Sequence, residues 1–131
     1  MTDRQILVVD DEEHLRELVR ACLEDLAGWE TLGAASGEEC FEILKTERPN
    51  AILLDISMPG MDGFAVYDRL QSEPANSSIP VILLTAKVLP SDRVRFDRMG
   101  VAGVIAKPIR PTILTEEVAE ILGWEYNFHS L

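Results

Sequence analysis

Apolar residues fall along this chain in two alternating patterns. Ile6-Leu7-Val8-Val9, Ala51-Ile52-Leu53-Leu54 and Val81-Ile82-Leu83-Leu84 are short continuous runs, the signature of strands buried on both faces. Gly103-Val104-Ile105-Ala106 reads as a further strand, and Trp29 to Ala35 as a weaker one. Between these runs the period lengthens. Leu15, Leu18, Val19, Cys22 and Leu26 recur at helical spacing, with Gly28 as the stop. Ser36 followed by Glu39 forms a capping box that opens a second helix through Cys40, Phe41 and Leu44. Met58-Pro59-Gly60-Met61-Asp62-Gly63 is a loop by its turn residues. The helix after it carries Phe64, Tyr67 and Leu70 and stops near Pro74. Ser91 reads as the cap of a fourth helix running through Val94 and Met99 to Gly100. Thr112 to Leu122 reads as the fifth, with Leu114, Val118, Ile121 and Leu122 inward and Gly123 at its end.

Five strand–helix pairs in strict alternation predict an α/β fold: a parallel sheet with helices on both faces, joined by right-handed crossovers. The 131 residues suit one compact domain. The formal net charge of −11 argues against direct nucleic-acid binding, which needs a basic surface. No apolar run is long enough for membrane insertion, and Met1-Thr2-Asp3-Arg4 lacks the layout of a secretory signal, so the expected location is cytoplasmic. Cys22 and Cys40 fall on apolar helix faces and read as buried free thiols. His14 and His129 are the only histidines, which leaves little material for a zinc site or a histidine-centred triad.

Ligand chemistry in an open parallel sheet gathers beyond the carboxyl ends of the strands. There the first strand ends in Asp10-Asp11, the third in Asp55, the fourth in Thr85 and the fifth in Lys107-Pro108. Asp10 and Asp11 precede a helix and singly read as well as helix-capping acids. Thr85 singly reads as a strand residue, and Lys107 as a solvated charge. Their meeting at one edge with Asp55, which no helix immediately follows, points instead to a site. Clustered carboxylates repel one another unless a cation joins them, and oxygen ligands of this kind suit Mg²⁺, with Mn²⁺ able to stand in. Beside such an ion a carboxylate can attack phosphorus and form an acyl phosphate. Lys107 would add a point charge, and Thr85 a hydroxyl donor, to the phosphoryl oxygens.

These residues, in this order, resemble the receiver domain of two-component response regulators. The matching segments are Val8-Val9-Asp10-Asp11-Glu12, Leu53 through Gly63, Leu84-Thr85-Ala86 and Ala106-Lys107-Pro108. The resemblance spans roughly residues 4 to 123 and implies a flavodoxin-like (βα)5 doubly wound sheet of order 2-1-3-4-5. The chain is accordingly expected to divide into a receiver over residues 1–123 and, by its composition, an aromatic tail over 124–131. The resemblance implies that Asp55 accepts a phosphoryl group from a sensor histidine kinase or a phosphotransfer protein. Asp11, Asp55 and the backbone carbonyl of Ser57 would ligate Mg²⁺, and Asp10 would act through a metal-bound water. Lys107 would pair with the phosphate, Thr85 would swing in to bond it, and the Lys107–Pro108 peptide would be cis. The expected output is a switched surface formed by the fourth helix, fifth strand and fifth helix, read by a protein effector or used in a homodimer.

Alternatives in function are a relay intermediate that passes the phosphoryl group on and an aspartyl-phosphate phosphatase. Such phosphatases place a second Asp two residues after the nucleophile, where this chain has Ser57. A flavin- or nucleotide-binding module is a poor fit, because Asp10-Asp11-Glu12-Glu13 is the wrong charge for phosphate. A domain that merely retains the fold leaves the full set of site residues unexplained.

The chain departs from the family pattern at Val104, where many receivers carry a ring that moves inward on activation. A valine there is expected to pack, with the loop after Thr85 carrying the change. Ser57 and Lys87 flank the site and are expected to tune the lifetime of the acyl phosphate. Arg93, Arg95 and Arg98 on the fourth helix, and Glu116, Glu117 and Glu120 on the fifth, read first as a solvated face. Three of the chain's eight aromatic residues lie within Trp124 to Leu131, an excess that suits either a tail folded back on the domain or a partner surface.

Overall fold

In the computed structural model, which describes residues 4–86 and 89–125, five strands and five helices alternate. They are β1 (Gln5–Val9), α1 (Glu13–Ala27), β2 (Glu30–Ala34), α2 (Gly37–Leu44), β3 (Ala51–Asp55), α3 (Gly63–Ser72), β4 (Val81–Thr85), α4 (Pro90–Met99), β5 (Gly103–Ala106) and α5 (Pro111–Leu122). All strand pairs are parallel, in the order β2-β1-β3-β4-β5. The expected sheet is the one observed.

Alternation of side chains along each strand divides the interior into two layers. Leu7 and Val9, Ile52 and Leu54, and Val81 and Leu83 face one way, against Cys40, Phe41 and Leu44 of α2, Val66, Tyr67 and Leu70 of α3, and Phe96 of α4. Ile6, Val8, Leu53, Ile82, Leu84 and Ile105 face the other way, against Val19, Cys22 and Leu23 of α1 and Leu114, Val118 and Ala119 of α5. Both cysteines are free and buried, as their helix faces predict. Register places Val9 beside Leu54, Asp55 beside Leu84 and Thr85 beside Ala106. The residues that follow these positions therefore emerge at one edge of the sheet.

Helix ends follow local chemistry. Ser36 Oγ accepts from the Glu39 amide at 3.1 Å, while the Glu39 carboxylate accepts from the amide of Ala35. Gly28, Gly100 and Gly123 close α1, α4 and α5 in the left-handed region, which glycine adopts without a Cβ penalty.

Two details differ from the sequence expectation. Helix α4 starts at Pro90 with Leu89 as its cap residue, so Ser91 lies inside the helix rather than before it. Proline suits the first helical position because its missing N–H would be unpaired there anyway. The helix rests on Phe96, and Val94 is 50% exposed. In α1 the inward stripe centres on Val19, Cys22 and Leu23. Leu18, one step of about 100° from Val19, lies at the rim with 41% of its surface exposed.

Candidate functional site

The carboxyl edge of the sheet gathers the sequence-predicted acids. Asp10 and Asp55 are almost fully buried, as is Thr85, whereas Asp11 is exposed. Carboxylate oxygens of Asp10, Asp11 and Asp55 lie within 4.8 Å of one another. Lys107 Nζ donates to Asp55 Oδ1 at 2.9 Å and faces Asp10 Oδ2 at 3.7 Å, beyond hydrogen-bond length. The Lys107–Pro108 peptide is cis, and the Lys107 amide donates to the Thr85 carbonyl at 2.8 Å. Lysine and threonine thus share the β4–β5 margin of the site.

Local backbone geometry holds the acids in place. Asp10 Oδ1 accepts from the Glu12 amide at 2.9 Å, and the Asp10 amide donates to the Ala34 carbonyl of β2 at 3.0 Å. The Ser57 amide donates to Asp55 Oδ1 at 3.3 Å, which puts Ser57 beside Asp55 with its residue surface exposed. Gly63 donates from its amide to the Ile56 carbonyl at 2.9 Å. A Cβ at Gly63 would stand 2.5 Å from the Asp55 carbonyl oxygen and 2.5 Å from Ile56 Cα. The loop that follows Asp55 can fold this tightly between β3 and α3 only with glycine there.

Electrostatically, Asp10 carries the tension. Burial pushes its carboxyl above the ordinary value; the Glu12 amide pulls it down, the charge of Asp55 raises it again, and Lys107 opposes that. Lys107 is shifted upward. Burial alone would lower it, but the hydrogen bond to Asp55 and the charges of Asp10 and Asp55 outweigh that. Asp10 Oδ2 is buried without a hydrogen-bond partner among the described residues. A buried carboxylate oxygen in that state is costly unless a cation satisfies it. Three converging carboxylates, one with an orphan oxygen, fit a hard divalent ion bound through oxygen.

The family model for the response regulator receiver domain matches residues 6–119. This chain belongs to that family. The receiver is 37% identical over 122 residues to the probable transcriptional regulator ycf27 of Porphyridium aerugineum, covering 93% of this chain and 49% of that one. The chain thus spans about half the length of this curated relative. It is 34% identical to a Leptolyngbya boryana protein described as an uncharacterized 14.6 kDa protein in the sodA1 3′ region, covering 92% of this receiver and 91% of that protein. The solved chemotaxis protein CheY4 of Vibrio cholerae superposes with a TM-score of 0.84 at 28% identity, covering 92% of this receiver and 99% of that chain.

The departures from the family pattern also have places in the receiver. Val104 is half-buried and packs on the layer formed with α2, α3 and α4. Arg93, Arg95, Arg98, Glu116 and Glu120 are exposed and Glu117 is half-buried, and the Arg95 guanidinium lies 3.6 Å over the Phe64 ring. Trp124 meets Trp29 edge-on at 5.2 Å, under the guanidinium of Arg4 at 4.4 Å. Lys87 and tail residues 126–131 lie outside the described residues. Sequence patterns missed the Glu12 amide, the close approach of Gly63 and a guanidinium on the Asp10 carbonyl. Turn composition flagged Gly63 only as loop, and nothing in the pattern flagged the others.

Among the described residues, no helix is long and apolar enough to cross a membrane.

Proposed function

We propose that this receiver is a stand-alone phosphoryl switch in which Asp55 takes a phosphoryl group from a sensor histidine kinase or phosphotransfer protein. The observation that carries the reading is the Lys107–Asp55 contact of 2.9 Å inside a three-carboxylate cluster. An ammonium held there is placed to neutralise incoming phosphoryl oxygens. Asp11, Asp55 and the Ser57 carbonyl would hold Mg²⁺, with Asp10 acting through a bound water. When bound, the ion would offset the charge of the phosphoryl oxygens and align them for in-line transfer. An oxygen of Asp55 then bonds phosphorus as the donor's P–N bond breaks, its electron pair returning to the imidazole. Thr85 would donate its hydroxyl to a phosphoryl oxygen, and Lys107 would move from carboxylate to phosphate.

The Leptolyngbya relative, of which the chain covers 91%, supports a stand-alone role. The output surface would be α4–β5–α5, where exposed Leu89 and Val94 accompany Arg93, Arg95 and Arg98. A protein effector or a second copy would read it. With Val104 packed, the loop after Thr85 would carry the change to α4.

The test is incubation with a small phosphodonor such as acetyl phosphate and Mg²⁺, followed by intact-mass measurement. One added phosphoryl group is expected on the wild-type protein and none on Asp55→Asn. Labelling of that variant at the wild-type rate would remove Asp55 from the role.

A further inference from the structure

We infer that Arg16 is a positioning residue for the cation site: it fixes the peptide that joins the two acids of the β1–α1 loop. The inference rests on the proposed Mg²⁺ role of that site. Arg16 Nη1 donates to the Asp10 carbonyl oxygen at 2.9 Å. That oxygen belongs to the peptide plane linking Asp10 to Asp11, so its direction fixes the N–Cα bond about which the Asp11 side chain is carried.

The other handles on this loop hold the peptides on either side of this one, before Asp10 and after Asp11. The Asp10 amide is tied to Ala34 and its Oδ1 to the Glu12 amide, while exposed Asp11 follows the peptide that Arg16 grips. The grip is built into the fold. The Arg16 side chain is 16% exposed and lies 3.9 Å from Glu17 Oε2. Its stem crosses Gly33 of β2, where a Cβ would come within 3.4 Å of Arg16 Cδ and 3.1 Å of Arg20 Nη1. Arg20, next on the same face, instead donates to Thr31 Oγ1 at 3.0 Å and has no contact with Asp10 among those described. The two arginines therefore carry equal charge along one edge but do different work.

This difference supplies a test with opposite signs. A guanidinium acting only through its charge repels a cation, so its removal tightens Mg²⁺ binding. A guanidinium that orients a ligand-bearing peptide has the reverse effect. Mg²⁺ affinity is measured by titration calorimetry on unphosphorylated wild type, Arg16→Ala, Arg16→Lys and Arg20→Ala, with thermal melts to check folding. Arg16→Ala is expected to weaken Mg²⁺ by about tenfold or more, the usual effect of losing a group that orients a metal ligand, and Arg20→Ala to leave it unchanged or tighter. Arg16→Lys, which keeps charge and stem but loses the planar fork, is expected to fall between wild type and Arg16→Ala. The Mg²⁺ concentration for half-maximal phosphoryl uptake should rise in parallel, with the rate at saturating Mg²⁺ largely restored.

Wild-type or tighter affinity in folded Arg16→Ala overturns the inference and leaves the phosphoacceptor reading intact. Should Arg16→Ala fail to fold, wild-type affinity in Arg16→Lys overturns it equally. Absence of Mg²⁺ binding by the wild-type protein overturns the inference together with the proposed cation site.

Discussion

Lys107 Nζ stands 2.9 Å from Asp55 Oδ1 and 3.7 Å from Asp10 Oδ2, so the ammonium bonds one carboxylate and only faces the other. The unequal distances separate two jobs. Asp55 is held by a donor that a phosphoryl group could claim, whereas Asp10 keeps one oxygen for something else. Replacing Lys107 with methionine removes both contacts while keeping an unbranched stem. Cation-free stability should fall by about 1.5–3 kcal/mol, the range for a hydrogen bond to a charged group, in urea denaturation with chelator present. Mg²⁺ should bind more tightly, because a competing positive charge has gone, while phosphoryl uptake at saturating Mg²⁺ slows. A loss of Mg²⁺ affinity would mean that Lys107 shapes the cation site rather than competing with it.

Asp10→Asn tests the orphan oxygen. Burial holds the Asp10 carboxyl above its ordinary value of 3.8, so the folded state prefers the protonated form. The penalty on folding develops as pH rises from that value through the folded one. An amide carries no charge to bury and keeps an oxygen for the Glu12 amide. The melting temperature in chelator at neutral pH should therefore rise, and the further rise on adding Mg²⁺ should shrink. Below the ordinary carboxyl value the two proteins should converge, since Asp10 is then protonated folded and unfolded alike. Equal Mg²⁺ stabilisation of both proteins would exclude Asp10 from the cation site.

Element order and the site acids were legible because each rests on a strong local signal. Continuous apolar runs mark strands buried on two faces, and the acids directly follow those runs. Parallel alternation then carries them to one edge without any need for side-chain detail. Leu18 and Ser91 were misread for a shared reason. Periodicity gives a helix face only to within a residue or so, and tertiary packing chooses the centre of the stripe and the first turn. The grip of Arg16 on the Asp10 carbonyl was not legible at all. A backbone acceptor leaves no residue pattern, and an arginine on a helix looks like any solvated charge until the fold lays it across Gly33.

Gly63 and Gly37 make a matched pair for testing the loop behind Asp55. A Cβ at Gly63 meets backbone, the Asp55 carbonyl and Ile56 Cα at 2.5 Å, which cannot yield without moving the loop. A Cβ at Gly37 meets side chains, Val66 Cγ2 at 2.7 Å and Met61 Sδ at 2.8 Å; the thioether can swing away, and buried Val66 must shift by a few tenths of an ångström, with no backbone atom in the way. Gly63→Ala should cost about 1–3 kcal/mol or more, the range for overpacking a tight site, and should depress phosphoryl uptake beyond its effect on folding. Gly37→Ala should cost less and leave uptake near wild type. Denaturation curves and phosphodonor labelling at matched folded fractions check the ranking, and a reversed order would show that the loop is not set by Gly63.

Cys40 gives the alkaline limit of the fold. Its thiol is fully buried, and burial pushes its pKa up to about 12, with Arg69 opposing and Glu73 adding to the rise. The folded state thus favours the neutral thiol. Its contribution to stability is complete below the ordinary value of 9.0, is lost as pH climbs from there toward 12, and leaves the fold weaker in alkali. Lys107 acts in the same direction at higher pH, since its folded value exceeds 10.5. Stability followed by urea denaturation should decline as pH rises above that thiol value. Cys40→Ala, although less stable throughout because of the cavity it leaves, should show a shallower decline. Near pH 8 the native thiol should react with an alkylating reagent only through opening of the α2–α3 layer, so its labelling rate should fall when stability is raised. Rapid labelling of Cys40 in the folded protein, independent of stability, would contradict the burial on which both expectations depend.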